Sequence, residues 1–150
     1  MLRDKRDLIG QLTLTSRAVR VESGRELAAL GLHAGQDTVL SAICESEGIS
    51  LKDLAVKLGV RPPTVTKTIA RLGAQGFVEK RASPDNTRQS LAYLTVEGRM
   101  VARELKAVRK KIRKIGQDGL SKDEQKLLVK LLRKVEGNFG GATKGEENTA

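Results

Sequence analysis

The side chains of this 150-residue chain that could do chemistry are mostly cationic. Arg61, Lys67, Lys80, Arg81 and Arg88 fall within one stretch and are interleaved with Thr64 and Thr66. Guanidinium, ammonium and hydroxyl groups donate to phosphate oxygens, and lysine also donates to guanine acceptors, while threonine or proline can meet a thymine methyl. Groups for covalent or metal chemistry are scarce. One Cys (Cys44) and one His (His33) cannot supply the four ligands of a structural zinc site, and they form no pair poised for attack. Neither Gly-Lys-Thr nor Gly-x-Gly-x-x-Gly occurs where it could cradle a phosphate. The chain is not expected to be an enzyme, and no cofactor or resident metal is expected.

The overall charge agrees with a polyanionic partner. There are 28 Lys+Arg against 18 Asp+Glu, a formal net charge of +10. Residues 1–49 carry net −1, residues 50–94 net +5, residues 95–135 net +8 and residues 136–150 net −2. Charge alone does not separate a nucleic-acid footprint from solvated helix faces. Hydrophobic residues make up 39% of the chain and aromatics only 2%, so the core must be aliphatic. A single Cys excludes an internal disulfide framework and fits a reducing compartment. No apolar stretch approaches the roughly 18 residues of a membrane span. The start, MLRDKRDLIG, lacks the apolar region of a secretory signal. A cytoplasmic protein without membrane contact is expected.

The elements that must position the cations follow from periodicity and punctuation. Leu8, Ile9, Leu12 and Val19 mark a long N-terminal helix that continues through Leu27 and Leu30 and breaks at Gly31–Gly35. His33 opens a second helix bearing Val39, Leu40 and Ile43 and ending near Cys44. Ser50 caps a short helix with Leu51, Leu54, Ala55 and Leu58 on one face, and Gly59 stops it. Pro62 and Pro63 open the next, where a missing N–H costs little. Val65, Ile69 and Leu72 share its inner face; Pro63, Thr64, Lys67, Ala70 and Arg71 share the outer one. Two short helices joined by a three-residue turn make a helix-turn-helix. Gly73 and Gly76 end it, and Phe77–Arg81, the turn Ala82–Thr87 and the returning strand Arg88–Leu94 form a hairpin wing, with Leu91 and Tyr93 on one side.

Thr95 caps a long amphipathic run (Val96, Met100, Val101, Leu105, Val108, Ile112, Ile115) that Gly116 and Gly119 interrupt. Ser121 and Glu124 form a capping box for a last helix striped by Leu127, Leu128, Leu131, Leu132 and Val135. The fold class is thus mainly α with a small β-hairpin wing. Residues 1–136 are expected to form a single domain, with a DNA-binding core at 50–94 and dimerisation helices at about 4–30 and 95–135. Residues 137–150 read as a disordered tail in which Phe139 caps the last helix. A winged module of about 45 residues is too small to cover every apolar face of the outer helices. A two-fold dimer would cover them, and would present two recognition helices roughly 34–36 Å apart, matching successive major grooves.

The runs Gly59–Leu72, Gly76–Arg81, Asn86–Arg88 and Tyr93–Gly98 resemble the MarR-type winged helix-turn-helix transcription regulators, over roughly residues 5–135. The resemblance implies a triangular homodimer on pseudo-palindromic double-stranded DNA that usually represses a nearby gene. It also implies relief of DNA binding by a small, often aromatic or phenolic effector, or by thiol oxidation. By position, Arg61 to Lys67 would start the recognition helix in the major groove, and Arg88 would be the wing arginine of the minor groove. The family usually has Asp two residues before that arginine; here it is Asn86, with Asp85 adjacent. The Pro62-Pro63 pair is a second departure and removes two donors from the helix start.

The DNA-binding residues expected on these grounds are Arg61, Pro63, Thr64, Thr66, Lys67, Lys80, Arg81 and Arg88. The alternative is an RNA-binding basic helical protein, disfavoured because single-strand recognition leans on aromatic stacking and this chain has only Phe77, Tyr93 and Phe139. The run Arg109–Lys114 reads first as a solvated face, with a DNA flank contact and an anionic-ligand lining left open. Cys44 is expected to be a buried structural residue, since thiol-sensing relatives place their cysteine in the first helix. His33 is expected at a cap or on the surface.

Overall fold

The structure is a computed structural model and describes residues 7–140. Two compact units divide the chain, one ending at Arg113 and the other beginning at Lys114.

The first unit opens with α1 (Leu8–Ala29), whose N-cap Asp7 accepts from the Gly10 N–H. α2 follows as Gln36–Glu45. Its N-cap is Gly35, so His33 lies in the preceding turn rather than opening the helix. The two-residue β1 (Ile49–Ser50) leads directly into α3 (Leu51–Leu58), capped by the Ser50 hydroxyl accepting from the Asp53 N–H. Gly59 ends α3 in the left-handed conformation (φ 63°), which lets the Val60 N–H reach back to the Ala55 carbonyl at 3.1 Å. α4 (Pro62–Ala74) then starts with prolines at its first two positions, and Gly73 lies inside it rather than at its end. Gly76 (φ 82°) turns the chain, so that Phe77 N–H meets the Leu72 carbonyl at 2.9 Å.

The wing strands are β2 (Val78–Ala82) and β3 (Ser90–Leu94), each starting one or two residues later than periodicity suggests. With β1 they form an antiparallel sheet of order β1-β3-β2. Lys80 pairs with Ala92 and Arg81 with Leu91. The short β1 carries too few residues for an alternation to be legible, yet it ties the helix-turn-helix to the wing through Ile49 opposite Ala92. The interior face of β3 is Ala92 and Leu94, which leaves Leu91 and Tyr93 half-buried on the other side.

The core is aliphatic as the composition requires. Leu40, Ile43, Leu54, Val65, Ile69, Leu72 and Leu105 are its fully buried large side chains. They come from α2, α3, α4 and from α5 (Val96–Gly116). Burying one such side chain contributes about 1.5–3 kcal/mol, so this cluster fixes the inner face of α4. Cys44 is exposed, which corrects the buried placement. α2 buries Gln36, Val39, Leu40, Ala42 and Ile43, and at about 100° per residue Cys44 falls off that arc, beside Asp37 and Ser41.

Thr95 joins the wing to α5: its hydroxyl donates to the Gly76 carbonyl (2.6 Å) and accepts from the Gly98 N–H (3.0 Å). Glu47 braces the same corner. Its carboxylate accepts from the Leu94 N–H at 2.8 Å and from the Arg99 guanidinium at 3.0 Å. The Leu94 amide, then Arg99, hold this carboxyl below its ordinary value of 4.5 against a desolvation that raises it. A depressed folded pKa means stability that is present above the unfolded value and lost as pH falls through the folded one. Glu47→Gln is therefore expected to cost about 1 kcal/mol at neutral pH. In urea titrations the gap between wild type and variant should close as pH drops below 4.5.

The second unit holds the last residues of α5 and α6 (Lys122–Asn138). Ser121 and Glu124 form the capping box reciprocally. α6 holds no buried residue; Leu127, Leu128, Leu131 and Leu132 are 38–55% exposed. The helix runs two residues into the stretch read as a tail, and Phe139 is its C-cap residue. Residues 141–150 of that expected tail and residues 1–6 lie outside the described residues.

Candidate nucleic-acid interface

The inner face of α4 is locked by Val65, Ile69 and Leu72, each at most 1% exposed. The opposite face is therefore obliged to face outward, and Pro63, Thr64, Thr66, Lys67, Ala70 and Arg71 are all exposed. Arg61 is the N-cap residue, also exposed, in extended backbone (φ −71°, ψ 143°), with no side-chain cap. With prolines at the first two positions, the first free backbone donors of α4 come from Thr64 and Val65, and these turn back to the Arg61 carbonyl at 3.0 and 3.4 Å. The hydroxyls are partly committed: Thr66 donates to the Pro62 carbonyl (3.1 Å) and Thr68 to the Thr64 carbonyl (2.9 Å). The Thr64 hydroxyl, Lys67 and Arg71 have no side-chain partner among the described residues, and α4 contains no acid at all.

The wing carries the other expected contacts. Alternation places Lys80 and Arg81 on opposite sides of β2. Arg81 is engaged: its Nε donates to Glu79 Oε1 at 2.9 Å, and its guanidinium carbon lies 4.3 Å from the Tyr93 ring centroid. The same pair lowers the Glu79 pKa and raises that of Arg81. Lys80 has no carboxylate within reach among the described residues. Asn86 forms a tight turn at the wing tip, its side-chain carbonyl accepting from the Arg88 N–H at 3.1 Å. An amide performs that backbone task as a carboxylate would. The Arg88 side chain is exposed and has no ion pair among the described residues. Arg88 lines a groove of about 390 Å³ together with Asn86, Gln89, Ser90, Leu51 and Lys52. Lys52 was not among the expected contacts. No local pattern marks it, because only the sheet brings the start of α3 beside the wing.

The basic run of α5 separates by helical spacing. Arg109 and Arg113 line a cavity of about 220 Å³ with Leu105, Val108 and Ile112 of α5, Ser23 and Leu27 of α1, and Asp37 of α2. Lys111 pairs with Glu26 of α1 at 2.6 Å, which raises the lysine's pKa and latches the two helices beside that cavity. Among the described residues no group of His, Cys, Asp and Glu could hold a metal ion, and no helix is long and apolar enough to cross a membrane.

The MarR family model matches residues 32–90, the span that holds the helix-turn-helix and the wing. The HTH-type transcriptional regulator YwoH of Bacillus subtilis (strain 168) is 34% identical over 92 residues, covering 61% of this chain and 66% of its own. The chain thus spans about two thirds of that relative's length. The crystal structure of MarR superposes with a TM-score of 0.72 at 30% identity, covering 88% of this chain and 96% of the other. The transcriptional regulator PcaV from Streptomyces coelicolor, solved in complex with its natural ligand, gives 0.72 at 25% identity, with 89% and 95% covered. These relatives are regulators and not enzymes, and the two solved structures share this chain's fold. With a MarR-like recognition helix and wing, and with sequence and fold matched along most of its length, this chain belongs to the MarR family of transcriptional regulators.

Proposed function

We propose that the protein is an effector-responsive repressor that binds a pseudo-palindromic operator in double-stranded DNA as a homodimer, in the cytoplasm. One observation carries this reading: α4 is pinned by its apolar face and turns an acid-free face of Pro63, Thr64, Lys67 and Arg71 outward, with an exposed Arg88 on the adjoining wing that has no ion pair among the described residues. Arg61, Pro63, Thr64 and Lys67 meet base edges in the major groove. Thr64, Lys67, Lys80 and Arg81 contact phosphates, Thr66 joins them by turning its hydroxyl proton away from the Pro62 carbonyl, and Arg88 enters the minor groove, where it reads width rather than base identity. The exposed apolar residues of α1 (Leu8, Ile9, Val19, Val21) and of α6 support pairing with a second copy. The cavity lined by α1, α2 and α5 suits a small effector with an apolar body and an anionic group, given Arg109 and Arg113 among its lining residues.

Titration of labelled duplex tests the reading. Binding is expected to be tight at about 50 mM salt and to fall by three or more orders of magnitude by about 500 mM, because phosphate contacts dominate affinity. Arg88→Ala is expected to weaken binding by about 1–3 kcal/mol at fixed salt. Affinity insensitive to both changes would reject it, as would tighter binding to single-stranded RNA.

A further inference from the structure

Gln36 is 3% exposed, the most deeply buried polar side chain among the described residues. Its Oε1 accepts from the His33 N–H at 2.9 Å, and its Nε2 donates to Gln75 Oε1 at 2.8 Å. Gln75 Nε2 in turn donates to the Gly31 carbonyl at 2.7 Å. The direction of this chain is fixed at both ends. A backbone N–H can only donate and a backbone carbonyl can only accept, so neither amide can flip without setting donor against donor. Gln75 is the C-cap residue of α4, while Gly31 and His33 lie in the α1–α2 connection. The two glutamines therefore fasten the end of the recognition helix to that connection. The same connection borders the cavity. Asp37, next to Gln36, lines it; so does Leu27, whose carbonyl takes the Leu30 and Leu32 N–H groups at 3.0 and 2.9 Å as α1 ends.

We propose that the Gln36–Gln75 amide pair positions α4 and makes its pose depend on whether the cavity between α1, α2 and α5 is filled. The proposal rests on the reading that α4 binds DNA and that this cavity takes the effector. A hydrogen bond weakens steeply once its length or angle departs from the optimum; the buried Gln36 amide has no water to turn to, whereas Gln75, at the exposed end of the chain, does. A body that spreads α1 from α2 moves Gly31 and Gln36 apart. The C-terminal end of α4 must then follow, or the amide chain breaks. Either response tilts the outward face of α4 relative to the wing. By reciprocity, DNA that holds α4 in its bound pose disfavours filling the cavity by the same factor.

A double-mutant cycle on duplex affinity, using the full chain, tests this without knowledge of the effector. Ser23→Phe places a ring in the cavity in every molecule, and Val108→Phe does so from α5 if the first variant does not fold. In the wild-type background, cavity filling is expected to weaken duplex binding about tenfold; with Gln75→Ala the same filling should change it less than about twofold. Thermal melting should show the two substitutions to be additive in stability, so that the non-additivity belongs to DNA binding alone. An equal fold-change in both backgrounds overturns the proposal, as does an absence of effect in the wild type. Failure of the unsubstituted protein to bind duplex would instead overturn the reading of α4, so the two failures are distinct.

Discussion

Ile69→Ala is expected to lower the unfolding free energy by about 2–5 kcal/mol and, with it, the fraction of protein able to bind duplex. Ile69 is 1% exposed at the middle of α4, between Val65 and Leu72, and faces the same cluster as Leu40, Ile43 and Leu54. Truncation removes the transfer free energy of three carbons and leaves a hollow directly under the recognition helix. Close packing on the core side leaves the surroundings little room to collapse into it. Lys67→Ala is the control. Its side chain is exposed on the other face of α4, so stability should change by no more than about 0.5 kcal/mol while duplex affinity falls. Urea denaturation and duplex titration on both variants separate packing from contact. A loss below about 1 kcal/mol for Ile69→Ala would mean that α4 is not anchored through this face.

Gly98→Ala tests the joint between the wing and α5, and two effects there have opposite signs. Alanine is the better helix former, by about 1 kcal/mol in an exposed helix interior and by less in the buried first turn that Gly98 occupies. Against this, a Cβ at Gly98 would stand 2.0 Å from the Phe77 carbonyl oxygen and 2.9 Å from its carbon. Those atoms are backbone, and the same oxygen already accepts from the Thr95 N–H at 3.1 Å. The start of α5 has to shift, and the Thr95 bridge to Gly76 has to loosen. The clash wins, and a net loss of about 2–3 kcal/mol is expected. In calorimetry this appears as a fall in Tm of about 4–12 °C. An unchanged or raised Tm would show that α5 can leave the wing freely.

Much of this architecture is legible along the chain because the signals are local. Ser50, Gly59 and the Ser121–Glu124 pair are caps whose partners lie within a few residues, and Pro62 takes the first helical position, where its missing N–H costs little. The inner face of α4 is legible for the same reason, since Val65, Ile69 and Leu72 recur at helical spacing. The features that stayed hidden are those made by distant pairing. β1 is two residues long and exists only because β3 lies beside it. Lys52 joins the wing groove, and Gln36 finds Gln75, through the tertiary fold alone. Arg81 reads along the sequence as a free cation, but Glu79 is its neighbour on one face of a strand and Tyr93 lies under it. Cys44 shows a different limit, because apolar neighbours such as Ile43 do not bury a residue on the far side of the same helix. The basic run of α5 is uniform as text, and becomes a cavity lining and an ion pair only when wound at 3.6 residues per turn.

The paired prolines at the head of α4 bear on the thermodynamics of recognition. A pyrrolidine ring holds φ near −65°, close to the helical value, so two successive rings leave the segment ahead of Thr64 few alternative conformers. In the proposed docking the outward face of α4 would therefore meet a duplex already ordered at its leading edge, with little rotational freedom left there to be surrendered. That edge offers rigid methylene surface in place of two amide donors. On the docking proposed above, its share of discrimination would come from steric fit to the groove floor, a misplaced exocyclic group being rejected by collision rather than by an unmade hydrogen bond.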